Sequence, residues 1–124
     1  MTAKILYIED NPDNMMLVRR VLMVEGYDVL EATSARDGIQ LAEVHQPDLI
    51  LLDINMPEMD GLTAISYLRA IPGLENVPMV ALTANVMRGA LEAVEEAGCD
   101  GYIAKPIDVD RFPEQIYNYL RRKR

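Results

Sequence analysis

The chain has 124 residues, 50% of them hydrophobic and 26% charged, which suits one domain with a real core and excludes intrinsic disorder. Its formal net charge of -8 argues against a general nucleic-acid binder, which needs a positive surface to displace counterions from phosphates. No apolar run approaches the roughly 20 residues of a membrane helix, no signal-peptide pattern precedes the first strand, and Cys99, the single cysteine, permits no internal disulfide and fits a reducing cytoplasm as a small buried side chain.

Strand-like apolar runs alternate with helix-like stretches, the pattern of an α/β fold with a mainly parallel sheet. Lys4-Ile5-Leu6-Tyr7-Ile8 is the first strand and runs into Glu9-Asp10. The first helix starts near Pro12, where a missing N–H costs nothing, turns Leu17, Val18, Val21 and Leu22 inward, and stops at Gly26. A short, polar strand at 28–31 belongs at a sheet edge. Ser34 with Asp37 opens the second helix, and Pro47 ends it. Asp48-Leu49-Ile50-Leu51-Leu52-Asp53 is a third strand that stops abruptly at a carboxylate, and the loop from Ile54 to Gly61 follows. The third helix covers about 61–70, with Leu62, Ile65 and Leu68 inward. Met79-Val80-Ala81-Leu82 runs into Thr83, and a fourth helix covers about 86–97. Tyr102-Ile103-Ala104 runs into Lys105-Pro106, and a fifth helix begins near Val109, with Phe112, Ile116 and Leu120 at helical spacing.

In open sheets of this kind ligands sit outside the carboxyl ends of the strands, where strand order reverses. Glu9, Asp10, Asp53, Thr83 and Lys105 all fall at such ends. Acids brought together there repel one another unless a cation relieves them, and Mg²⁺, a hard ion taking oxygen ligands, does so. An aspartate beside Mg²⁺ can act as a nucleophile toward phosphorus. Phosphoryl transfer needs mostly alignment and charge neutralisation. Lys105 supplies positive charge for phosphoryl oxygens and Thr83 a hydroxyl donor. Singly, Glu9-Asp10 read equally well as an acidic helix start, and Thr83 and Lys105 read better as a strand-forming threonine and a surface lysine; the signal lies in their combination.

That combination resembles the receiver domain of bacterial two-component response regulators. Glu9-Asp10, Asp53, the following Met56-Pro57-Glu58-Met59-Asp60-Gly61, Thr83-Ala84 and Lys105-Pro106 carry the resemblance, which spans residues 1–124 as one receiver domain with no output domain. It implies a flavodoxin-like, CheY-like three-layer sandwich whose five-stranded parallel sheet has the order 2-1-3-4-5. It also implies roles. Asp53 would accept a phosphoryl group from a phosphohistidine on a sensor histidine kinase or histidine phosphotransfer protein. Asp10, Asp53 and the backbone carbonyl of Asn55 would hold Mg²⁺ (or Mn²⁺), with Glu9 acting through water. Lys105 would hold the phosphoryl group beside a cis bond to Pro106. Thr83 would turn toward the phosphate and Tyr102 swing inward with it, reshaping a protein-binding surface on the fourth helix, fifth strand and fifth helix. Asn55 and Asn85 occupy positions that tune phosphate hydrolysis in the family. Such a module is no turnover enzyme beyond Mg-dependent self-phosphorylation and slow autodephosphorylation, and it binds neither nucleic acid nor membrane.

Thr83-Ala84-Asn85-Val86-Met87-Arg88-Gly89 is similar to a motif of DivK-like single-domain regulators and of hybrid-kinase receivers, except that Ala90-Leu91 stand where acidic residues usually follow. Met1 directly before the first strand favours the free-standing version. Met87 is read as a partner contact and Tyr117 as exposed or flanking, whereas Tyr7 and Tyr27 are read as structural. His45 is read as a solvated helix-end residue, and Arg121-Arg122-Lys123-Arg124 as a charged helix end. Three other readings fit less well. A phosphoaspartyl hydrolase needs a second acid where Asn55 stands, a flavodoxin needs a hydroxyl- or glycine-rich loop where Glu9-Asp10-Asn11-Pro12 stands, and a constitutive interaction module needs none of the site residues.

Overall fold

Five strands and five helices alternate strictly in the computed structural model, which describes residues 2–55 and 61–121. They are β1 (Lys4–Ile8), α1 (Pro12–Val24), β2 (Asp28–Ala32), α2 (Ala35–His45), β3 (Leu49–Asp53), α3 (Gly61–Arg69), β4 (Met79–Thr83), α4 (Arg88–Ala97), β5 (Gly101–Ala104) and α5 (Phe112–Leu120). All strand pairs are parallel and the sheet order is β2-β1-β3-β4-β5. Met56 to Asp60 of the third-strand loop and the basic residues Arg122 to Arg124 lie outside the described residues.

Alternation along each strand sends successive side chains to opposite faces of the sheet. Ile5, Tyr7, Leu49, Leu51, Val80, Leu82 and Ile103 pack with Met15, Val18 and Leu22 of α1 and Phe112 and Ile116 of α5. Leu6, Ile8, Ile50, Leu52, Met79 and Ala81 pack on the other face with Ala42 of α2, Ile65 and Leu68 of α3 and Val94 of α4. Each such leucine or isoleucine taken out of water contributes about 1.5–3 kcal/mol. Sealing both faces explains why β1 is apolar from Ile5 to Ile8 and β3 and β4 are apolar until their last residues, whereas β2, at an edge, is not. Gly38 lets α2 lie close on β1, because a Cβ there would collide with the Ile8 side chain.

Helix starts are set by side-chain caps. Asn11 accepts from Asn14 N–H at 3.0 Å and Ser34 from Asp37 N–H at 3.1 Å, each satisfying a first-turn donor. Three expectations need correction. In α1 it is Met15, Val18 and Leu22 that are buried, while Leu17 is exposed; the stripe is phased by the helix start at Pro12, and Met15 fills the place assigned to Leu17. Helix α4 starts at Arg88 rather than near Val86, because the Asn85 side chain accepts from Met87 N–H at 3.1 Å and holds that turn outside the helix. Helix α5 starts at Phe112 rather than near Val109, after a turn in which Asp108 accepts from Asp110 N–H through its carboxylate and from Arg111 and Phe112 N–H through its carbonyl. Cys99 is buried, with its thiol pushed up to about 12 mainly by that burial, and His45 is the exposed last residue of α2. No helix among the described residues is long and apolar enough to cross a membrane.

The edge of the sheet where β4 and β5 begin is fastened by one guanidinium. Arg69, ending α3, donates from Nε and Nη2 to the Gly98 carbonyl, which closes α4, at 3.2 and 2.8 Å. Its Nη1 reaches the carbonyls of Leu74, Glu75 and Val77 at 3.0, 3.1 and 2.7 Å. Its Nη2 also pairs with Asp100 Oδ2 at 2.9 Å, and that oxygen accepts from Met79 N–H. Arg69→Leu keeps most of the apolar stem but leaves these carbonyls unpaired. It is expected to cost about 2–4 kcal/mol, seen as a lower urea midpoint at unchanged slope.

Candidate functional site

The strand ends carry the polar groups that the sealed sheet cannot. Glu9 and Asp53 are almost fully buried, at 0% and 4% exposure, although both are acids. Glu9 follows β1, where its N–H donates to the Ala32 carbonyl at 2.9 Å and so stays in the plane of the sheet. Asp53 is the last residue of β3, between β1 and β4. Carboxylate oxygens of Glu9, Asp10 and Asp53 lie within 4.8 Å of one another, and Asp10 itself is exposed.

Lys105 completes the group. Its backbone N–H donates to the Thr83 carbonyl at 2.8 Å, which extends the β4–β5 ladder, and its peptide bond to Pro106 is cis. Its ammonium lies 2.9 Å from Asp53 Oδ2 and 3.4 Å from Glu9 Oε1. Asp53 Oδ1 accepts from Asn55 N–H at 3.0 Å, Glu9 Oε2 from Asn11 N–H at 3.3 Å, and Glu9 Oε1 from the Tyr7 hydroxyl at 2.9 Å.

Burial and the adjacent Asp53 raise the Glu9 carboxyl above its ordinary value, against the pull of the Asn11 N–H and the Tyr7 hydroxyl. Burial would raise Asp53 too. Hydrogen bonds from Glu9, Asn55 N–H and the Lys105 ammonium outweigh that and hold Asp53 below its ordinary value. Burial, with Glu9 beside it, pushes the Tyr7 phenol far up, so it serves only as a donor. The two neighbouring carboxyls are thus driven apart, Asp53 kept ionised and Glu9 made reluctant.

The donor set suits a divalent cation. Three carboxylates and one ammonium sum to −2, and every available ligand atom is a hard oxygen. Two of the acids are already desolvated, so a cation placed among them relieves a repulsion rather than having to create a pocket.

Thr83 is fully buried at the end of β4, and its Oγ1 is engaged with the loop that follows, accepting from Asn85 N–H at 3.0 Å and donating to the Asn85 carbonyl at 3.2 Å. The structure thus brings Glu9, Asp10, Asp53, Asn55 and Lys105 together, with Thr83 at the same edge but turned to its own loop. Tyr102 is not among them: it stands on β5 at 41% exposure, facing outward with exposed Val86, Met87 and Tyr117 on the α4 and α5 side. Two residues escaped the sequence reading. Tyr7 touches the acids directly, a position that the two-residue spacing to Glu9 on one strand face would have revealed. Leu17 lines a cleft of about 350 Å³ beside Lys105, together with Asn14, Ala84 and Ile107.

The raised Glu9 has a consequence for stability. A carboxyl raised on folding stabilises in its protonated form, in full below the ordinary carboxylate value, and that contribution is lost as pH rises through the raised folded value. Above the ordinary carboxylate range the metal-free protein therefore holds Glu9 at a cost. Glu9→Gln is expected to raise the Tm of the protein in chelator at about pH 7 and to leave it unchanged at about pH 4, compared by thermal melts at both.

The geometry has counterparts among known proteins. The family model of the response regulator receiver domain matches residues 5–117. The polar-differentiation response regulator DivK of Brucella ovis is 41% identical over 97% of this chain and 98% of its own length, and that of Brucella anthropi 39% over the same shares. Among solved structures, the receiver domain of sensor histidine kinase PA1611 from Pseudomonas aeruginosa, crystallised with a magnesium ion coordinated in its active-site cleft, superposes with a TM-score of 0.88 at 32% identity, covering 97% of this chain and 98% of that one. The chemotaxis protein CheY4 of Vibrio cholerae, at 24% identity, shares the fold with a TM-score of 0.92 over 96% of this chain and 99% of its own. An acidic cluster at the switch point of a 2-1-3-4-5 sheet, matched along nearly the whole chain, places this protein in the family of two-component response regulator receiver domains.

Proposed function

We propose that Asp53 is the phosphoacceptor and takes its phosphoryl group from a phosphohistidine on a histidine kinase or histidine phosphotransfer protein. The observation that carries this is Asp53 itself: buried, held ionised, with Lys105 Nζ at 2.9 Å and Asn55 N–H at 3.0 Å fixing its two oxygens beside Glu9 and Asp10. A carboxylate oxygen of Asp53 attacks phosphorus, the P–N bond breaks, and its electron pair stays on the imidazole nitrogen. Asp10, Asp53 and the Asn55 carbonyl would hold Mg²⁺ (or Mn²⁺), with Glu9 acting through water. The bound ion supplies charge neutralisation for the phosphoryl oxygens. Lys105, shared between Asp53 and Glu9, is free to follow the new charge onto the phosphoryl group.

Residues 1–124 act in this reading as a single receiver unit of the cytoplasm, signalling by protein contact rather than by turnover. The donor's helices would seat on exposed Met16 and Leu17 and the cleft beside Lys105. The readout runs through Thr83. Its hydroxyl leaves the Asn85 backbone for a phosphoryl oxygen, the loop before α4 rearranges, and Tyr102 turns inward, altering the α4–β5–α5 face where Met87 and Tyr117 are exposed. A downstream protein would read that face.

Incubation with Mg²⁺ and acetyl phosphate is expected to give a single phosphoryl adduct by intact mass, absent in Asp53→Asn and formed about a hundredfold more slowly in Lys105→Met. No adduct on folded, metal-bound protein would overturn the assignment of Asp53, and steady release of phosphate from unrelated monoesters would make the protein a hydrolase instead. Thr83→Ala is expected to take up phosphate while the amide NMR shifts of α4 and β5 no longer respond, which separates acceptance from readout.

A further inference from the structure

Tyr7 is the one buried polar side chain of the cluster with no part in the phosphoryl chemistry above. It is fully buried in the middle of the α1–α5 face of the sheet, yet its neighbours Ile5, Val18, Leu51 and Phe112 would accommodate a phenylalanine ring as well. A buried hydroxyl costs free energy unless it is paired, and this one finds its partner at Glu9 Oε1, 2.9 Å away. Packing therefore explains the ring, and the hydroxyl needs a second reason.

Glu9 provides one. Each of its oxygens is held by the chain's own donors, Oε2 by Asn11 N–H at 3.3 Å and Oε1 by Tyr7 at 2.9 Å, with Lys105 more distant at 3.4 Å. The phenol is the nearer of the two donors to Oε1. Without it, Glu9 would have only the Lys105 ammonium on that side, and would draw it from Asp53. Tyr7 cannot drift, because β1 is paired on both sides, to β2 and β3, and its side chain is on the same strand face as Glu9, two residues away. Outer partners that fix a metal site's carboxylates influence affinity although they never touch the ion.

We infer that Tyr7 is a positioning residue for the cation site: its hydroxyl locks the Glu9 carboxylate in the orientation that receives a metal-bound water, and leaves Lys105 to Asp53. This rests on the cation site proposed for Asp10, Asp53 and Asn55, and extends it inward by one shell.

The test is Mg²⁺ binding by isothermal titration calorimetry on the full chain, with urea midpoints measured alongside. Tyr7→Phe is expected to fold and to weaken Mg²⁺ binding by about tenfold, the low end of what outer partners contribute. Because the hydroxyl acts through Glu9, the effect is expected to vanish when the acceptor is already removed in Glu9→Ala, so that Glu9→Ala and the Tyr7→Phe/Glu9→Ala double variant bind alike. Wild-type affinity in Tyr7→Phe, tighter binding, or an equal tenfold loss in the Glu9→Ala background would overturn the inference while leaving the cation site intact. A wild-type protein that binds no Mg²⁺ would overturn the cation site and this inference with it.

Discussion

Two carboxylates, Glu9 and Asp53, sit side by side with almost no water and one ammonium between them. In so dry a setting like charges interact strongly, and the protein holds them only because the backbone leaves no choice. Both are attached to central strands whose apolar side chains are clamped between helices on two faces. Moving either acid into water would mean withdrawing a strand end from the ladder. The sheet therefore keeps the acids together, and their repulsion becomes a standing demand for positive charge. Lys105 meets part of that demand, and a divalent cation would meet the rest. A phosphoryl group then arrives as surplus negative charge at a place already short of positive charge, and so it perturbs its surroundings strongly.

Much of this was legible in the chain. Strands buried on both faces read as unbroken apolar runs, and each run ends where its strand leaves the core, so the sequence alone puts Glu9, Asp53, Thr83 and Lys105 on one edge. The parts that were not legible have local causes. Leucine and methionine are nearly equivalent in hydrophobicity, so nothing in composition chose Met15 over Leu17 for burial; the start of α1 at Pro12 did. Helices α4 and α5 start later than their apolar spacing predicts because asparagine and aspartate side chains, at Asn85 and Asp108, capture N–H groups that a helix would use. Tyr7 is structural in its ring, which lies in the core, and its two-residue spacing puts it on the strand face of Glu9; the reach of its hydroxyl to Glu9 Oε1 is what the sequence does not display.

The proposed switch follows from what the core does not hold. Thr83 is buried, but its hydroxyl is bonded to the backbone of its own loop, so it could be transferred to a new partner at little cost to packing. Helix α4 begins without a side-chain cap and buries only Val94 in full, whereas α1 and α2 each have a capped start and a buried stripe. Stability is thus distributed unevenly, low at the loop beside the acids and high beneath them, which suits a surface that responds while the scaffold does not.

The Arg69 guanidinium gives that unevenness a mechanical meaning. It grips the last carbonyl of α4 at Gly98 and, through Asp100, the start of β4. A helix pinned at its heel and without a side-chain cap at its toe would move by pivoting about the pinned end. Any displacement of the loop before α4 would therefore be felt most at the exposed Met87 and least at Gly98, so the lever arm of this helix is laid down by an arginine on a neighbouring one.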